Sequence, residues 1–464
     1  MSGFDTIVHL VYLACAVCFV IGLHQMNAPA TARQGNRISA AGMAVAILTT
    51  AIVLAHDRSV SFGAVVALVI GAIAGGAAGL IAARRVRMTA MPQLVSLFNA
   101  VGGGAAALIA LGDRAASTQA AVTGVLDVAI GALTFTGSLV ASGKLAGRIP
   151  GRPLTVPFGR QISAGLAVVA IALGVWFVAS SDAPPILLTG VAVAALAAGV
   201  LLTLPIGGAD MPVVISLLNA CTGTAVAMAG FVLESTPLII AGGLVGAAGA
   251  ILTKLMADAM NRPITAIIAG GYGTGDAVTV SAGTTSAPVR EITADDAAIQ
   301  LAYAGKVVIV PGYGLAAAQA QHEAVALAEA LAQRGVEVTY AIHPVAGRMP
   351  GHMNVLLAEA NAPYPQLRDL EESNPEFART DVVLVVGAND VTNPAARRPG
   401  NPVSGMPILD VDKARSVIVL KRSLGHGYAG IDNELYTDPR TAMLFADAKA
   451  GLAALLSGLH AYAS

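Results

Sequence analysis

The first 256 residues consist of apolar stretches of about 20 residues that follow one another at short intervals. A helix needs about 20 apolar residues to cross the hydrocarbon core of a bilayer. Only 12% of the chain is charged, against about 25% in an average soluble domain. The pattern therefore predicts a polytopic α-helical membrane bundle of about nine spans, at residues 4–23, 38–55, 62–83, 92–111, 120–141, 162–180, 186–204, 212–232 and 237–256.

Positive charges between the predicted spans are distributed unevenly. The loops after even-numbered spans hold only Arg58 and Arg114. Those after odd-numbered spans hold Arg33, Arg37, Arg84, Arg85, Arg87, Lys144, Arg148, Arg152, Arg160, Lys254 and Arg262, although the seventh loop has no Lys or Arg. Because cytoplasmic loops carry an excess of Lys and Arg, this bias predicts an outside N-terminus and a cytoplasmic C-terminal part.

Several function classes are disfavoured by composition. The net charge of −1 provides no basic surface for nucleic acid, so we expect no nucleic-acid partner. Cys15, Cys18 and Cys221 all lie in apolar runs, which indicates packing rather than a disulfide framework. The histidines show no ligand spacing, and no metal site is predicted.

The composition changes after the ninth span and divides the chain into three parts. We predict a transmembrane domain at residues 1–260, a linker or hinge at 261–290 that contains a glycine-rich run at 270–275, and an α/β domain at 291–464. A helical stretch is predicted at 315–334, between two of the strands. Alternating strands and helices favour a Rossmann-like parallel sheet, with strands predicted at residues 306–310, 336–342, 382–386, 407–411 and 417–420.

A glycine motif lies between the first predicted strand and the helix that follows it. Gly312, Gly314 and Ala317 match G-x-G-x-x-G/A in the strand–turn–helix context that this motif requires. Glycine lets backbone N–H groups approach a pyrophosphate, whose charge is favoured near a helix N-terminus. The motif predicts dinucleotide binding, and a merely tight turn is the alternative.

A short basic motif, Lys421-Arg422-Ser423, follows the last predicted strand. Two cations and a hydroxyl at a strand end suit a 2′-phosphate. No acidic residue suited to a ribose 2′-hydroxyl is evident after the second predicted strand. These features favour NADP over NAD, while a solvated basic turn is the alternative.

Motifs along essentially the whole chain, in order, resemble those of the beta subunits of proton-translocating NAD(P) transhydrogenases. In the α/β part they are Ile342-His-Pro-Val-Ala-Gly-Arg-Met-Pro-Gly-His-Met-Asn-Val355, Gly387-Ala-Asn-Asp-Val-Thr-Asn-Pro-Ala395, Lys421-Arg-Ser423, Gly427-Tyr-Ala-Gly430 and Phe445-Ala-Asp-Ala-Lys449. In the membrane part they are Ala32-Arg-Gln-Gly-Asn36, Thr136-Gly-Ser-Leu139, Ala209-Asp-Met-Pro212 and Ala259-Met-Asn-Arg262.

The resemblance implies a division of labour between two subunits in a bacterial inner membrane. An alpha subunit binds NAD(H), this chain binds NADP(H), and hydride passes directly between the two nicotinamides, coupled to proton translocation. It also implies a dimer of alpha–beta units embedded in lipid. Direct hydride transfer requires proximity and exclusion of water rather than an acid, a base or a nucleophile.

The resemblance assigns roles to residues that match its motifs. Asn389 and Asp390 are the candidate catalytic residues, on a loop near the nicotinamide that is implicated in coupling, although Asp390 could instead cap a helix. Tyr428 is expected to close over the cofactor, with surface packing as the alternative. The remaining candidate cofactor-binding residues are Gly312, Tyr313, Gly314 and Ala317 at the pyrophosphate, Arg348 at the phosphates, and Lys421, Arg422 and Ser423 at the 2′-phosphate.

Polar residues inside spans are costly and are therefore functional candidates. By resemblance the proton path includes Asn99, Ser138, Asp210 and Asn219, with interhelical hydrogen bonding as the alternative for Ser138 and Asn219. Many relatives have a proton-carrying histidine where this chain has Asn99, which cannot titrate near neutral pH. Our hypothesis is that a partner-subunit helix supplies a histidine there. Within this chain His24 and His56 are weaker candidates because they lie at predicted span ends, whereas His9 lies further inside the first span.

Two other functions fit parts of the pattern. One is a membrane transporter with an NADP(H)-sensing regulatory domain, which would require a substrate cavity and an internal repeat. A weak echo between residues 91–100 and 211–220 is compatible with such a repeat. The other is a non-catalytic anchoring subunit, which the intact glycine and Lys-Arg-Ser motifs disfavour.

Overall fold

A computed structural model describes most of the chain, which forms two compact units. The described residues are 3–26, 29–57, 61–87, 90–113, 117–150, 153–180, 184–207, 210–260, 263–269, 289–347, 351–401, 403–427 and 429–461. The first unit comprises residues 1–207 and 213–253, and the second comprises 208–212 and 254–464.

The first unit is built from long apolar helices, and the described residues contain nine that are long and apolar enough to cross a membrane. This confirms the predicted membrane bundle. In chain order they are α1 (Gly3–Gln25), α2 (Pro29–Asp57), α3 (Phe62–Arg85), α4 (Met91–Gly112), α5 (Thr118–Leu145), α6 (Gly159–Ala179), α7 (Pro185–Thr203), α8 (Met211–Val232) and α9 (Thr236–Ala259).

Helix ends differ from the sequence prediction where polar residues extend an apolar stretch. Helix α2 begins at Pro29 rather than at residue 38, so Arg33 and Arg37 lie within it and not in a loop. A helix satisfies its own backbone hydrogen bonds, and it therefore continues past the apolar segment that hydropathy detects.

Small residues allow the central helices to touch backbone to backbone. A Cβ atom on Gly131 of α5 would lie 2.5 Å from the carbonyl oxygen of Gly103 on α4. Likewise, a Cβ atom on Gly223 of α8 would lie 2.8 Å from the carbonyl oxygen of Gly242 on α9. Such approaches are typical of helix packing in lipid, where van der Waals contact replaces the hydrophobic effect.

The second unit contains a six-stranded parallel sheet with the order β3-β2-β1-β4-β5-β6. The strands are β1 (Lys306–Pro311), β2 (Glu337–Ala341), β3 (Leu367–Arg368), β4 (Val382–Val386), β5 (Ser416–Lys421) and β6 (Thr441–Phe445). The helices of this unit are α10 (Ile264–Ala269), α11 (Ala294–Ala302), α12 (Tyr313–Ala317), α13 (Gln321–Ala332), α14 (His352–Glu359), α15 (Leu370–Ser373) and α16 (Ala448–Ala461). The strand order is that of doubly wound dinucleotide-binding sheets and confirms the predicted α/β domain.

Both faces of the sheet are covered, which explains its continuous β-branched strands. Val307 and Ile309 of β1 pack into a core that includes α13 and α16. Val308 and Val310 point the other way, into a core that includes Phe377. All four residues are buried, so the carboxyl edge of the sheet is the part left for a ligand.

One predicted strand is absent from the structure, and two strands of the sheet were not predicted. Residues 407–411 form no strand, because the amide of Leu409 bonds to Val391 and the carbonyl of Pro407 bonds to His343. Conversely, β3 and β6 were not predicted. The single helix expected at 315–334 is divided into α12 and α13, with Gln319 in the left-handed region at φ 52° between them.

The predicted linker can be followed only in part. Helix α10 lies within it, and the glycine-rich run at 270–275 falls outside the described residues. Its role as a hinge stays a prediction.

Candidate nucleotide site and membrane polar cluster

A cleft opens at the carboxyl edge of the sheet where β1 and β4 lie side by side. The chain runs outward in opposite directions from this pair, and ligands of parallel sheets bind at such switch points. The cleft is lined by residues that follow β1, β2, β4, β5 and β6: Gly312, Tyr313, Gly314, Ala317, Ala318, Val345, Ala346, Gly347, Gly387, Ala388, Asn389, Asp390, Val391, Lys421, Arg422, Ser423, Gly425, His426, Gly427, Ala446, Asp447 and Ala448.

Three glycines bring the segments after β1 and β4 into direct contact. The amide of Gly312 donates to the carbonyl of Val386, and the amide of Gly314 donates to the carbonyl of Gly387, both at 2.9 Å. A Cβ atom on Gly314 would lie 2.7 Å from the Cα atom of Gly387, which itself has a φ of 64°. Gly312 and Gly314 therefore line the cleft, and their amides join the segment after β1 to the end of β4. That they face a pyrophosphate stays a prediction.

Lys421 lies at the end of β5 and is held by its neighbours. Its Nζ donates to the carbonyl of Gly425 and lies 4.9 Å from the centroid of the Tyr436 ring. With the amide of Asn389 oriented to satisfy both groups, its oxygen accepts from Lys421 Nζ at 3.1 Å and from the amide of Gly427 at 2.7 Å. Burial lowers the pKa of Lys421, and the charge of Asp390 opposes that shift.

Asp390 contacts the segment that follows β5. Its Oδ2 accepts from the amide of Ala429 at 3.0 Å, and a Cβ atom on Gly427 would lie 2.6 Å from its Cγ. Helix capping in this region is performed instead by Asn393, whose oxygen accepts from the amide of Ala395 at 3.1 Å. The bond of Asp390 to Ala429 therefore leads to the segment after β5, and the role of Asp390 beside the cofactor stays a prediction.

The other predicted cofactor residues fall into two groups. Arg422 and Ser423 are exposed at the mouth of the cleft, where a ligand could reach them. Arg348 and Tyr428 lie outside the described residues, so their roles stay predictions.

The segment after β2 forms one wall of the cleft and is held by His343, a residue to which the sequence analysis assigns no function. His343 is 1% exposed. Its Nδ1 accepts from the amide of Val345 at 3.2 Å, so Nε2 carries the proton and donates to the carbonyl of Pro407 at 2.7 Å. Burial lowers the pKa of His343 to about 4, and the ring is neutral at pH 7. In the sequence, this residue is marked by a His-Pro pair directly after the second predicted strand.

Polar side chains link α4, α5 and α8 inside the membrane unit. Asn99 donates to the carbonyl of Ile215 at 3.3 Å, and its own carbonyl accepts from Thr222 at 3.2 Å. Ser96 donates to the carbonyl of Ser138 at 2.8 Å. The structure thus brings Asn99 and Ser138 to one three-helix contact, with Asn219 half-buried on α8 between Ile215 and Thr222.

Two charged residues near the membrane edges are buried. Asp210 lies in the turn before α8. Lys144, which the sequence predicts in a loop, lies in the last turn of α5. Its Nζ donates to the carbonyls of Leu204 at 2.5 Å and Ile206 at 2.7 Å. Carbonyls at the end of a helix lack partners within it, and the lysine supplies them for the end of α7.

Asp127 is a second residue that sequence reasoning missed. It lies in the interior of α5 and is fully buried. The signal was present in the sequence, since the other acidic residues of the nine helices, Asp5, Asp57 and Asp258, lie at helix ends. Among the described residues no group of three or more His, Cys, Asp or Glu side chains could hold a metal ion.

Comparison with known proteins gives one consistent result. The sequence model of a family described as "NAD(P) transhydrogenase beta subunit" matches residues 8–458. The NAD(P) transhydrogenase subunit beta of Rhodospirillum rubrum is 47% identical over 452 residues, which cover 94% of this chain and 96% of the relative. A protein of the same name from a designated strain of that species gives the same values.

Proposed function

The chain belongs to the family of NAD(P) transhydrogenase beta subunits, and on this basis we propose that it binds NADP(H) and couples hydride transfer to proton translocation. NAD(H) is carried by an alpha subunit, and hydride passes directly between the two nicotinamides. The assembly is a dimer of alpha–beta units in the bacterial inner membrane, with the N-terminus outside and the sheet domain in the cytoplasm.

The observation that carries this proposal is the chemistry of the cleft. A glycine surface at the β1–β4 switch point lets a pyrophosphate approach the backbone, and exposed Arg422 and Ser423 stand beside it at the end of β5. A guanidinium and a hydroxyl suit the 2′-phosphate that distinguishes NADP from NAD. Lys421 also lines the cleft and contributes positive charge, while its Nζ is bonded to the carbonyl of Gly425.

Bound NADP(H) would accept or donate a hydride, and this chain would orient it and exclude water. Asp390 bonds to the amide of Ala429 in the segment after β5, and in this proposal Tyr428 closes over the cofactor and Arg348 helps to hold the phosphates. Asn389 bonds to the same segment, so a change in the cofactor could be transmitted through these two residues. That is the role in coupling we propose for Asn389 and Asp390.

We place the proton path through the membrane polar cluster, with Asn99, Ser138 and Asn219 in its interior and Asp210 near the cytoplasmic mouth. Asn99 can hydrogen-bond but cannot carry charge near neutral pH. Our hypothesis that a partner-subunit helix places a histidine beside Asn99 stands as part of this proposal.

The nucleotide assignment is tested by titrating the full chain in detergent with NADPH and with NADH. Replacing Arg422 with alanine removes a charged hydrogen bond worth about 1.5–3 kcal/mol, so we expect NADPH affinity to fall by about 10-fold to 100-fold. NADH affinity should stay unchanged. Arg415→Ala is the matched control, since this exposed arginine lies just before β5, at the opposite edge of the sheet.

Two outcomes would contradict the proposal. If neither nucleotide binds, the anchoring interpretation replaces it. If NADPH binds but the complex with the alpha subunit transfers no hydride, the transporter with an NADP(H)-sensing domain replaces it.

A further inference from the structure

Asp127 occupies an unusual place for a carboxylate. It lies in the tenth position of the 28-residue helix α5, fully buried. Neither carboxylate oxygen has a hydrogen-bond partner among the residues that the structure describes. An ionisable residue inside a membrane span is costly, and one without a partner has no evident structural use.

The helices packed against α5 do not neutralise this carboxylate. They are α4, α6, α7 and α8, whose described side chains include two ionisable groups, Arg160 at the start of α6 and the thiol of Cys221 on α8. On α5 itself the other charge is Lys144, about 25 Å away by the rise of a helix. No described cation is paired with Asp127, so an ionised carboxylate at this position would be an uncompensated buried charge.

Asp127 shares a helix face with the polar cluster. Residues 127, 131, 134 and 138 are spaced by three or four, and all four are buried. Asp127 and Ser138 are therefore about 16 Å apart along one face. Gly131 lies between them, in backbone contact with Gly103 of α4. This contact separates the carboxylate from the Asn99–Ser138 cluster in the described state.

We propose that Asp127 is a proton-carrying residue of the translocation path, located between the α4–α5 loop side of the membrane and the Asn99–Ser138 cluster. The inference rests on the function proposed above and adds a residue to it. A proton binds the Asp127 carboxylate from one aqueous phase, giving the acid. It leaves toward Ser138 when the α4–α5 contact opens, which regenerates the carboxylate with no other reactant.

The test uses the complete complex with its alpha subunit, reconstituted in vesicles that contain a pH-sensitive dye. The change is Asp127→Asn, which keeps the shape of the side chain and cannot titrate. Loss of a positioned proton carrier should lower proton pumping by at least about 100-fold. NADPH binding should stay unchanged, which also shows that the variant is folded. Asp258→Asn is the matched control, since Asp258 is an exposed carboxylate in the last turn of α9, and its pumping should equal that of the wild type.

Asp127→Glu provides an independent readout, because it retains a titratable group at a displaced position. We expect the Asp127→Glu complex to pump protons with a shifted pH profile. This measurement does not depend on Asp127→Asn and therefore still tests the proposal if that variant fails to assemble. Infrared difference spectra between the NADP⁺ and NADPH forms should show a carboxylic-acid carbonyl band that is absent from Asp127→Asn. A merely structural aspartate would give neither signal.

The results separate this inference from the function on which it rests. Normal pumping by Asp127→Asn, an unshifted profile for Asp127→Glu, or a wild-type spectrum without the carboxylic-acid band would each overturn the role of Asp127 and leave the transhydrogenase function standing. A wild-type complex that transfers no hydride or pumps no protons would overturn the proposed function as well.

Discussion

Low pH should lower the stability of the sheet domain because His343 becomes protonated. In its neutral form this ring holds the segment after β2, which forms one wall of the cleft. The ring uses both nitrogens, since Nδ1 accepts from Val345 and Nε2 donates to Pro407. Protonation converts Nδ1 into a donor that faces the amide of Val345, so the bond is replaced by a repulsive contact. The folded domain therefore resists protonation at this ring, and low pH favours the unfolded chain.

The size of the effect follows from the pKa of His343 in the two states. The unfolded histidine titrates near pH 6.5, whereas burial lowers the pKa in the folded domain to about 4. The stability is complete above about pH 6.5 and is lost as the pH falls toward 4. Linkage gives a loss of about 2 kcal/mol between pH 7 and pH 5, and about 3 kcal/mol by pH 4.

Urea unfolding in detergent, followed by tyrosine absorbance, measures this loss in the intact chain. Eight of the nine tyrosines follow residue 260, so the signal reports mainly on the C-terminal part. His343→Asn keeps an acceptor for the amide of Val345 and cannot titrate, so its stability should change by about 2 kcal/mol less than that of the wild type between pH 7 and pH 5. His322→Asn, at an exposed histidine on α13, should behave as the wild type. Equal pH dependence in the wild type and His343→Asn would refute the reasoning.

Three further changes test contacts in the two units. Gly387→Ala adds a Cβ against the facing backbone at a φ of 64°, and should destabilise the sheet domain by about 1–3 kcal/mol in urea unfolding and weaken NADPH binding; unchanged stability would contradict the glycine contact. Asp390→Ala removes the acceptor for the amide of Ala429, so stopped-flow measurements should show that NADPH dissociates about 10-fold faster. An unchanged dissociation rate would show that this bond does not help to retain the cofactor. Gly131→Ala should lower the thermal stability of the membrane helices by about 1–3 kcal/mol, and Gly165→Ala, which points into open space, should leave it unchanged.

The membrane bundle was predictable because lipid imposes a length and a composition on each span. All nine predicted spans are present in the described chain. Positions of individual charges were less predictable. Hydropathy predicts Lys144 in a loop, but it lies inside α5, where it bonds to carbonyls that are 60 and 62 residues away in sequence. Hydropathy is a local average and carries no information about such contacts.

In the cleft, local motifs identified the glycines and the basic group but not their interactions. The G-x-G pattern indicated close approach of backbone, and the structure adds that part of this approach is made to β4. The Lys-Arg-Ser motif predicts that Lys421, Arg422 and Ser423 bind a 2′-phosphate. The structure adds that Lys421 is bonded to Gly425 and that Arg422 and Ser423 are exposed. The bond from His343 to Pro407 spans 64 residues, and no short motif encodes it.

Energetics set a condition on any proton carrier in α5. An ionised carboxylate at the centre of a bilayer costs about 2.5–3.5 kcal/mol on insertion scales, and one proton crossing 100 mV releases about 2.3 kcal/mol. Because the two quantities are similar, Asp127 can release its proton only in a state that lowers the cost of its charge, for example by admitting water or a cation. Opening of the Gly103–Gly131 contact would create such a state. Coupling then requires that the NADP(H)-bound domain control when this contact opens. Asn99 can form hydrogen bonds but cannot take up a proton near neutral pH, so of these two buried residues Asp127 is the one that can store the proton.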